Sequence, residues 1–173
     1  NAILKGSKLV QTHSITKKPK RQRIRTRAYR EFASKEEFNN WIDNSYLLIG
    51  KAYFYQHNFG SAVENFSYIL RKFPEEEIRY EAMVWLIRSY SELERFTEAA
   101  ELIMSLQSDK QFPKKLEKEL ARATADMYMK KMEYQEAIKF LDISMKKATS
   151  RKTKARLQYI LAQLFRETGE KEK

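Results

Sequence analysis

The sequence predicts an all-α protein, a solenoid of antiparallel helix pairs, and three observations carry that expectation. The first is a period. Tyr53, Tyr90, Tyr128 and Phe165 lie 37, 38 and 37 residues apart. Ala62, Ala99 and Ala137 keep the same step, as do Phe59, Phe96 and Tyr134, and Phe66, Ile103 and Leu141. Self-similarity at a fixed spacing of this size marks stacked units, none of which can bury its apolar face alone. The second is composition: 4 Gly and 3 Pro in 173 residues, with 33% charged, suit helices joined by tight turns. The third is local spacing, because apolar residues recur at helical intervals within each period.

Taken in order, residues 1–33 read as a short helix over about 2–13, with Ala2, Ile3, Leu9 and Val10 on it, followed by a basic connector around Pro19. Proline fixes φ and lacks an N–H, so it breaks a helix there. Residues 34–173 hold the repeats, at about 34–74, 75–112, 113–149 and a partial unit at 150–173. In the first, Ser34 and Glu37 have capping-box spacing. Tyr46, Ile49, Gly50 and Tyr53 then form one apolar helix face running to about His57. His57 and Asn58 make a turn. Phe59, Ala62, Phe66 and Ile69 give the packing face of a second helix that Pro74 ends. The small Ala62 lets the two helices approach closely.

The second unit repeats this with Leu86 and Tyr90, then Phe96, Ala99, Ile103 and Leu106, ending before Phe112-Pro113. Glu75, Glu76 and Glu77 open it, where acids suit the helix dipole. The third uses Ala121, Ala125 and Tyr128, then Tyr134, Ala137 and Leu141. The fourth has one helix, with Leu161, Ala162 and Phe165, ending at Gly169. That makes about three and a half units. An array cut open at a first helix is expected to continue, so the chain reads as a piece of a longer protein.

A small residue and an aromatic on the first helix, Ala on the second and a closing Pro resemble the tetratricopeptide repeat. The first unit matches best, with Tyr46, Ile49-Gly50, Tyr53, Phe59, Ala62, Phe66 and Pro74. The resemblance covers roughly residues 43–169 and implies a superhelix of helix pairs with a concave binding face. The period exceeds the usual 34, and Ile87 stands where a small residue belongs, so looser or shifted packing is expected there. A second resemblance follows the order of short phrases. These are His13-Ser14-Ile15, Lys17-Lys18-Pro19, Trp41, Leu48-Ile49-Gly50-Lys51-Ala52, Phe66-Ser67-Tyr68-Ile69 and Trp85-Leu86-Ile87-Arg88-Ser89-Tyr90. They are similar to the amino-terminal part of the repeat-bearing outer-membrane lipoproteins of Bacteroidetes, the SprE/PorW type. That resemblance implies a role in gliding motility and type IX secretion, an upstream lipid anchor, and a periplasmic or outer-membrane location. A cytoplasmic location is the alternative.

In such arrays the first helices line a concave surface, and their side chains off the packing face are the default ligand contacts. Here those are Lys51, Phe54 and Tyr55, then Val84, Arg88 and Glu92, Arg122, Asp126 and Met129, and Arg156, Tyr159 and Arg166. Lys51, Arg88, Arg122, Arg156 and Arg166 would form a basic ladder interleaved with Phe54, Met129 and Tyr159. Such a groove suits an acidic, partly apolar peptide, because arginine forks grip carboxylates. The bland alternative is an ordinary solvated face. Trp85 reads as packing and Trp41 as a cap over the first repeat.

Net charge is +11, and residues 1–44 hold 11 Lys and Arg against 4 Asp and Glu. Lys17, Lys18, Lys20, Arg21, Arg23, Arg25, Arg27 and Arg30 form a basic arm with no acid among them. Such a block stays solvated. It is either a connector or a docking strip for something acidic. Nucleic-acid binding through 17–30 is the rival function, weakened by a single stacking group, Tyr29. A cytosolic chaperone-adaptor using Asn44, Lys51 and Arg88 is a third. The chain has no cysteine, no Gly-rich phosphate loop, no GxSxG and no HExxH. His13 and His57 are far apart. The reading is therefore non-enzymatic, with no cofactor, metal or small-molecule substrate.

Overall fold

A computed structural model describes residues 41–169, and every regular element among them is helical. The short helix at 2–13, the basic arm and the Ser34 capping box lie outside the described residues. The helices are α1 (Ile42–Tyr55), α2 (Phe59–Lys72), α3 (Ile78–Glu92), α4 (Phe96–Ser108), α5 (Glu117–Lys130), α6 (Tyr134–Lys147) and α7 (Arg151–Thr168), with a 3-10 turn at Lys114–Leu116. They fall into two compact units that divide after Ile78.

The first unit holds α1 and α2, packed on each other. Ala62, Phe66 and Ile69 are fully buried on α2. Gly50 faces the Phe66 ring so closely that a Cβ there would sit 2.5 Å from Cε1. The glycine is required by close approach of a buried aromatic. Tyr46 stacks on Tyr68 with centroids 3.9 Å apart. Burial, and then the Tyr68 hydroxyl beside it, push the Tyr46 phenol up to about 12. Asn58 caps α2 by accepting from the Ser61 N–H at 3.2 Å, as its preference for that position predicts. Phe73 and Pro74 end the helix. Trp41 stands at the start of α1 with 67% of its surface exposed. Its carbonyl accepts from both the N–H and hydroxyl of Ser45.

The second unit holds α3 to α7. One apolar cluster joins Tyr80, Val84 and Ile87 of α3 to Ala99, Ile103 and Leu106 of α4 and to Leu120, Ala123 and Met127 of α5. Another joins Ala125 to Ala137 and Leu141 of α6 and to Leu157, Leu161 and Leu164 of α7. Ala62, Ala99 and Ala137 all have zero exposure, so the small residue of each period sits at the tightest part of its helix pair. Tyr90 and Tyr128 pack half-buried against the first cluster, and Tyr128 and Phe165 against the second. Ile87, at the place of Gly50 in the first unit, is fully buried and shares a cluster with Ile103, which stands at the place of Phe66.

Each helix pair turns on the same backbone motif. His57, Glu94 and Met132 are the only non-glycine residues with positive φ among those described, at 59°, 57° and 60°. They too are 37 and 38 residues apart. The next residues, Asn58, Arg95 and Glu133, donate their N–H to the carbonyls of Tyr53, Tyr90 and Tyr128 at 3.0, 2.9 and 2.9 Å. His57, Glu94 and Met132 donate to Phe54, Ser91 and Met129. This is the Schellman closure, which satisfies the orphan carbonyls at a helix end. The carbonyls of Asn58, Arg95 and Glu133 then accept from Ala62, Ala99 and Ala137. One residue thus closes the first helix and opens the second. Gly169, 37 residues after Met132, repeats the left-handed step at φ 72° and donates to Arg166.

Candidate interaction surface

α5 presents Glu119, Arg122, Asp126 and Lys130 at intervals of three and four, which places them on one side of the helix. α3 offers Arg88 and Glu92 to that side. The Arg88 Nη2 donates to Glu119 Oε2 at 3.0 Å, and Lys130 Nζ pairs with Glu92 Oε2 at 2.8 Å. The two bridges cross between the same two helices with opposite polarity and lock their register. Partial exposure keeps each bridge modest in energy.

Arg88 is therefore committed. Its guanidinium lies 4.8 Å over the ring of Trp85, a buried side chain. Its Nε is buried with no hydrogen-bond partner. The side chain is only 16% exposed. The aromatic face and the carboxylate together hold the cation in place.

Asp126 is the chemical centre of this surface. Burial raises its carboxyl above the ordinary value. Arg88, Arg122 and Arg156 pull against that, and the neighbouring Glu92 adds to it. Positive charges on three helices, α3, α5 and α7, thus act on one half-buried acid, and desolvation outweighs their attraction. Among the described residues no ion pair within 4 Å joins Asp126 to any of them, and Arg122 and Arg156 carry no ion pair at all. Beside Arg122 opens a polar cleft of about 120 Å³, lined by Lys118, Ser144, Ser150 and Thr153. Ser144 donates at 3.4 Å to the Lys118 carbonyl.

Of the residues predicted from the sequence, Arg88, Arg122 and Arg156 all exert their charge on Asp126. Arg166 does not join them: it is exposed ten residues further along α7, with Glu167 as its nearest acid at 3.8 Å. Met129 packs into the α5–α7 cluster. Tyr159 stands 66% exposed, accepting from Gln163 at 3.0 Å. Val84 is buried. In the first unit Lys51, Phe54 and Tyr55 share one side of α1. Phe54 packs edge-on to Tyr55 at 5.8 Å and to Phe59 at 5.3 Å, while Tyr55 is 70% exposed. The sequence reading missed Glu119 as the partner of Arg88, although its place three residues before Arg122 puts it on the same helix side.

The buried hydroxyls nearby have ordinary explanations. Ser89, Ser91 and Thr124 each donate to the carbonyl four residues back, at 2.9, 2.7 and 2.9 Å. No three His, Asp or Glu side chains cluster to hold a metal among the described residues. No helix among them is long and apolar enough to cross a membrane.

The fold and this surface define a class: an all-helical, repeat-built protein with a guanidinium-rich side. Comparison of the sequence with models of known families, and with curated proteins, returns no match.

Proposed function

We propose that the chain is a tetratricopeptide-like solenoid of about three and a half repeats that binds protein, without catalysis, through its first-helix side. The reading is supported above all by one observation: the positive charges of Arg88, Arg122 and Arg156, on three successive first helices, all act on Asp126, and among the described residues Arg122 and Arg156 have no ion-pair partner. A partner's carboxylate would satisfy Arg122 and Arg156 better than Asp126 does, because it brings a charge that need not be desolvated by the fold. The ligand is then an acidic peptide segment. Exposed Tyr159 supplies an aromatic contact beside it.

Arg88 braces the surface, while Arg122 and Arg156 grip the ligand. Pull-down from an extract of the native source, comparing the wild-type chain with Arg122→Glu/Arg156→Glu, tests this. The expected result is loss of the bound protein from the double variant. Asp126→Asn removes the internal competitor and should strengthen capture. Equal recovery by all three chains would remove the proposal. Binding to single-stranded RNA that falls steeply with salt would transfer the function to the basic arm instead.

The assignment to an envelope lipoprotein of secretion or gliding motility rests on the resemblance of the short phrases quoted above. Metabolic labelling of the parent with a radioactive fatty acid tests it. An unlabelled parent would overturn the envelope assignment and leave the peptide-binding reading untouched.

A further inference from the structure

We propose a second binding site on the opposite side of α5: a cleft of about 370 Å³ that seats one bulky apolar side chain of an acidic peptide. At 100° per residue, Leu120, Ala121 and Thr124 project from the side of α5 away from Arg122 and Asp126. They line the cleft on its α5 side, where the small Ala121 and Thr124 leave room. Leu106 and Phe112 form one wall, Phe140 and Ile143 the other.

These walls are held in advance. Phe112 packs edge-on to Tyr80 at 5.6 Å, and the Tyr80 hydroxyl donates to Asp109 at 2.9 Å. Phe140 stacks on Tyr128 at 5.6 Å with the rings 12° from parallel. Rings fixed on both sides leave little ordering entropy for a ligand to overcome. The volume lies in the range of clefts that take a small organic group rather than a water. Ile143 on the rim is 41% exposed, an apolar surface that a ligand would cover.

Charge selects the occupant. Lys110, Lys114 and Lys147 stand at the mouth, with Asp109 and Glu117. Both acids are engaged. Asp109 accepts from the Gln111 N–H at 2.7 Å and from Tyr80, and these bonds, with the Gln111 one the larger cause, hold its carboxyl below the ordinary range. Glu117 pairs with Lys147. Among the described residues Lys110 and Lys114 have no ion pair. The cleft is thus apolar inside with two unmatched ammonium groups outside, which complements an aromatic or aliphatic side chain flanked by carboxylates. The proposal stands apart from the Asp126 side, since no residue of that cluster lines this cleft.

The test is titration of the isotope-labelled full chain with two blocked pentapeptides, Asp-Phe-Asp-Leu-Asp and Lys-Phe-Lys-Leu-Lys, followed by NMR. Expected are saturable shifts at Leu120, Thr124 and Ile143 with the acidic peptide and none with the basic one. Lys110→Glu/Lys114→Glu should weaken the acidic peptide roughly five- to ten-fold, as loss and reversal of two rim charges implies. Ile143→Asp should abolish binding, with helicity unchanged by circular dichroism because the position is on the rim. The proposal is overturned by equal binding of the basic peptide, by wild-type affinity in the charge-reversal variant, or by shifts confined to the Asp126 side. Saturable binding of laurate with no peptide binding would overturn it as well.

Discussion

The helix pair α1–α2 of the first unit and the pair α5–α6 of the second solve one packing problem with different side chains. In the first, glycine at position 50 faces a fully buried Phe66. In the second, the corresponding residues are Ala125 and Leu141, buried at 0% and 1%. Between them in sequence, Ile87 and Ile103 occupy the same two places on α3 and α4, again buried. From Gly50 and Phe66 to Ala125 and Leu141, a methyl gained on the first helix goes with a smaller side chain on the second, while Ile87 and Ile103 are together bulkier than either pair. Close-packed interiors feel each such change in volume. A residue at one of these places has no meaning without its opposite number.

The largest effect should come from importing one unit's choice into the other. Gly50→Ile drives a branched side chain into the Phe66 ring and is expected to cost about 3 kcal/mol, the upper end for overpacking. Phe66→Ile in the same chain should restore more than half of that loss, measured by urea unfolding. Additive losses in the double variant would break the comparison. Ala125→Gly, which makes the second unit resemble the first on one side only, should cost about 1 kcal/mol through lost helix propensity and a methyl-sized void. A cost equal to that of Gly50→Ile would mean the two sites are not counterparts.

The turns sharpen the comparison from another direction, since both units use the same left-handed step. A non-glycine residue there costs about 1 kcal/mol or more. Glu94→Gly and Met132→Gly should each raise stability by up to about 1 kcal/mol, visible as a higher melting temperature. Ala at either position should give no gain.

The smallest effect concerns Asp126. Its native carboxyl binds a proton more tightly than the unfolded chain does. Its contribution to stability is therefore fully present below the ordinary value of 3.8 and is lost as pH rises through the native value. At neutral pH the buried carboxylate is a liability, so Asp126→Asn should match or exceed the wild type by less than about 1 kcal/mol. Below pH 3.8 that advantage should vanish. Chemical unfolding at pH 3 and pH 7 checks the sign, and a wild type made more stable by the rise in pH relative to the variant would reverse it.

The period made most of the fold legible, because a residue such as Ala62 must be small for the same reason in every pair. Its limits are equally physical. His57, Glu94 and Met132 carry no signal of their left-handed backbone, since glycine, the usual marker, is absent from all three. Ile87, bulky where a small residue belongs, is fully buried, with Ile103 in place of the aromatic Phe66 of the first unit. Of the basic ladder, three arginines exert their charge on Asp126, while Arg166 points to its own neighbour Glu167. Spacing along one helix tells side from side but not which cation finds an acid on the next helix. Glu119 shows the point: its bridge to Arg88 spans 31 residues. The cleft at Ala121 is illegible in the sequence because its lining comes from α4, the 109–116 crossing, α5 and α6 together.

One consequence follows from the uneven period. From Tyr to Ala the distance is nine residues in each of the three pairs, so the extra residue of the 38-residue step must fall after Leu106 and before Leu120. That stretch is the crossing at 109–116, where one pair hands the chain to the next. Insertions there leave both hairpins intact, and the length of this crossing is free to drift while the helices on either side hold still. The lysines that guard the cleft sit on it, so its width and charge can be retuned by evolution, or by an engineer, at no expense to the architecture.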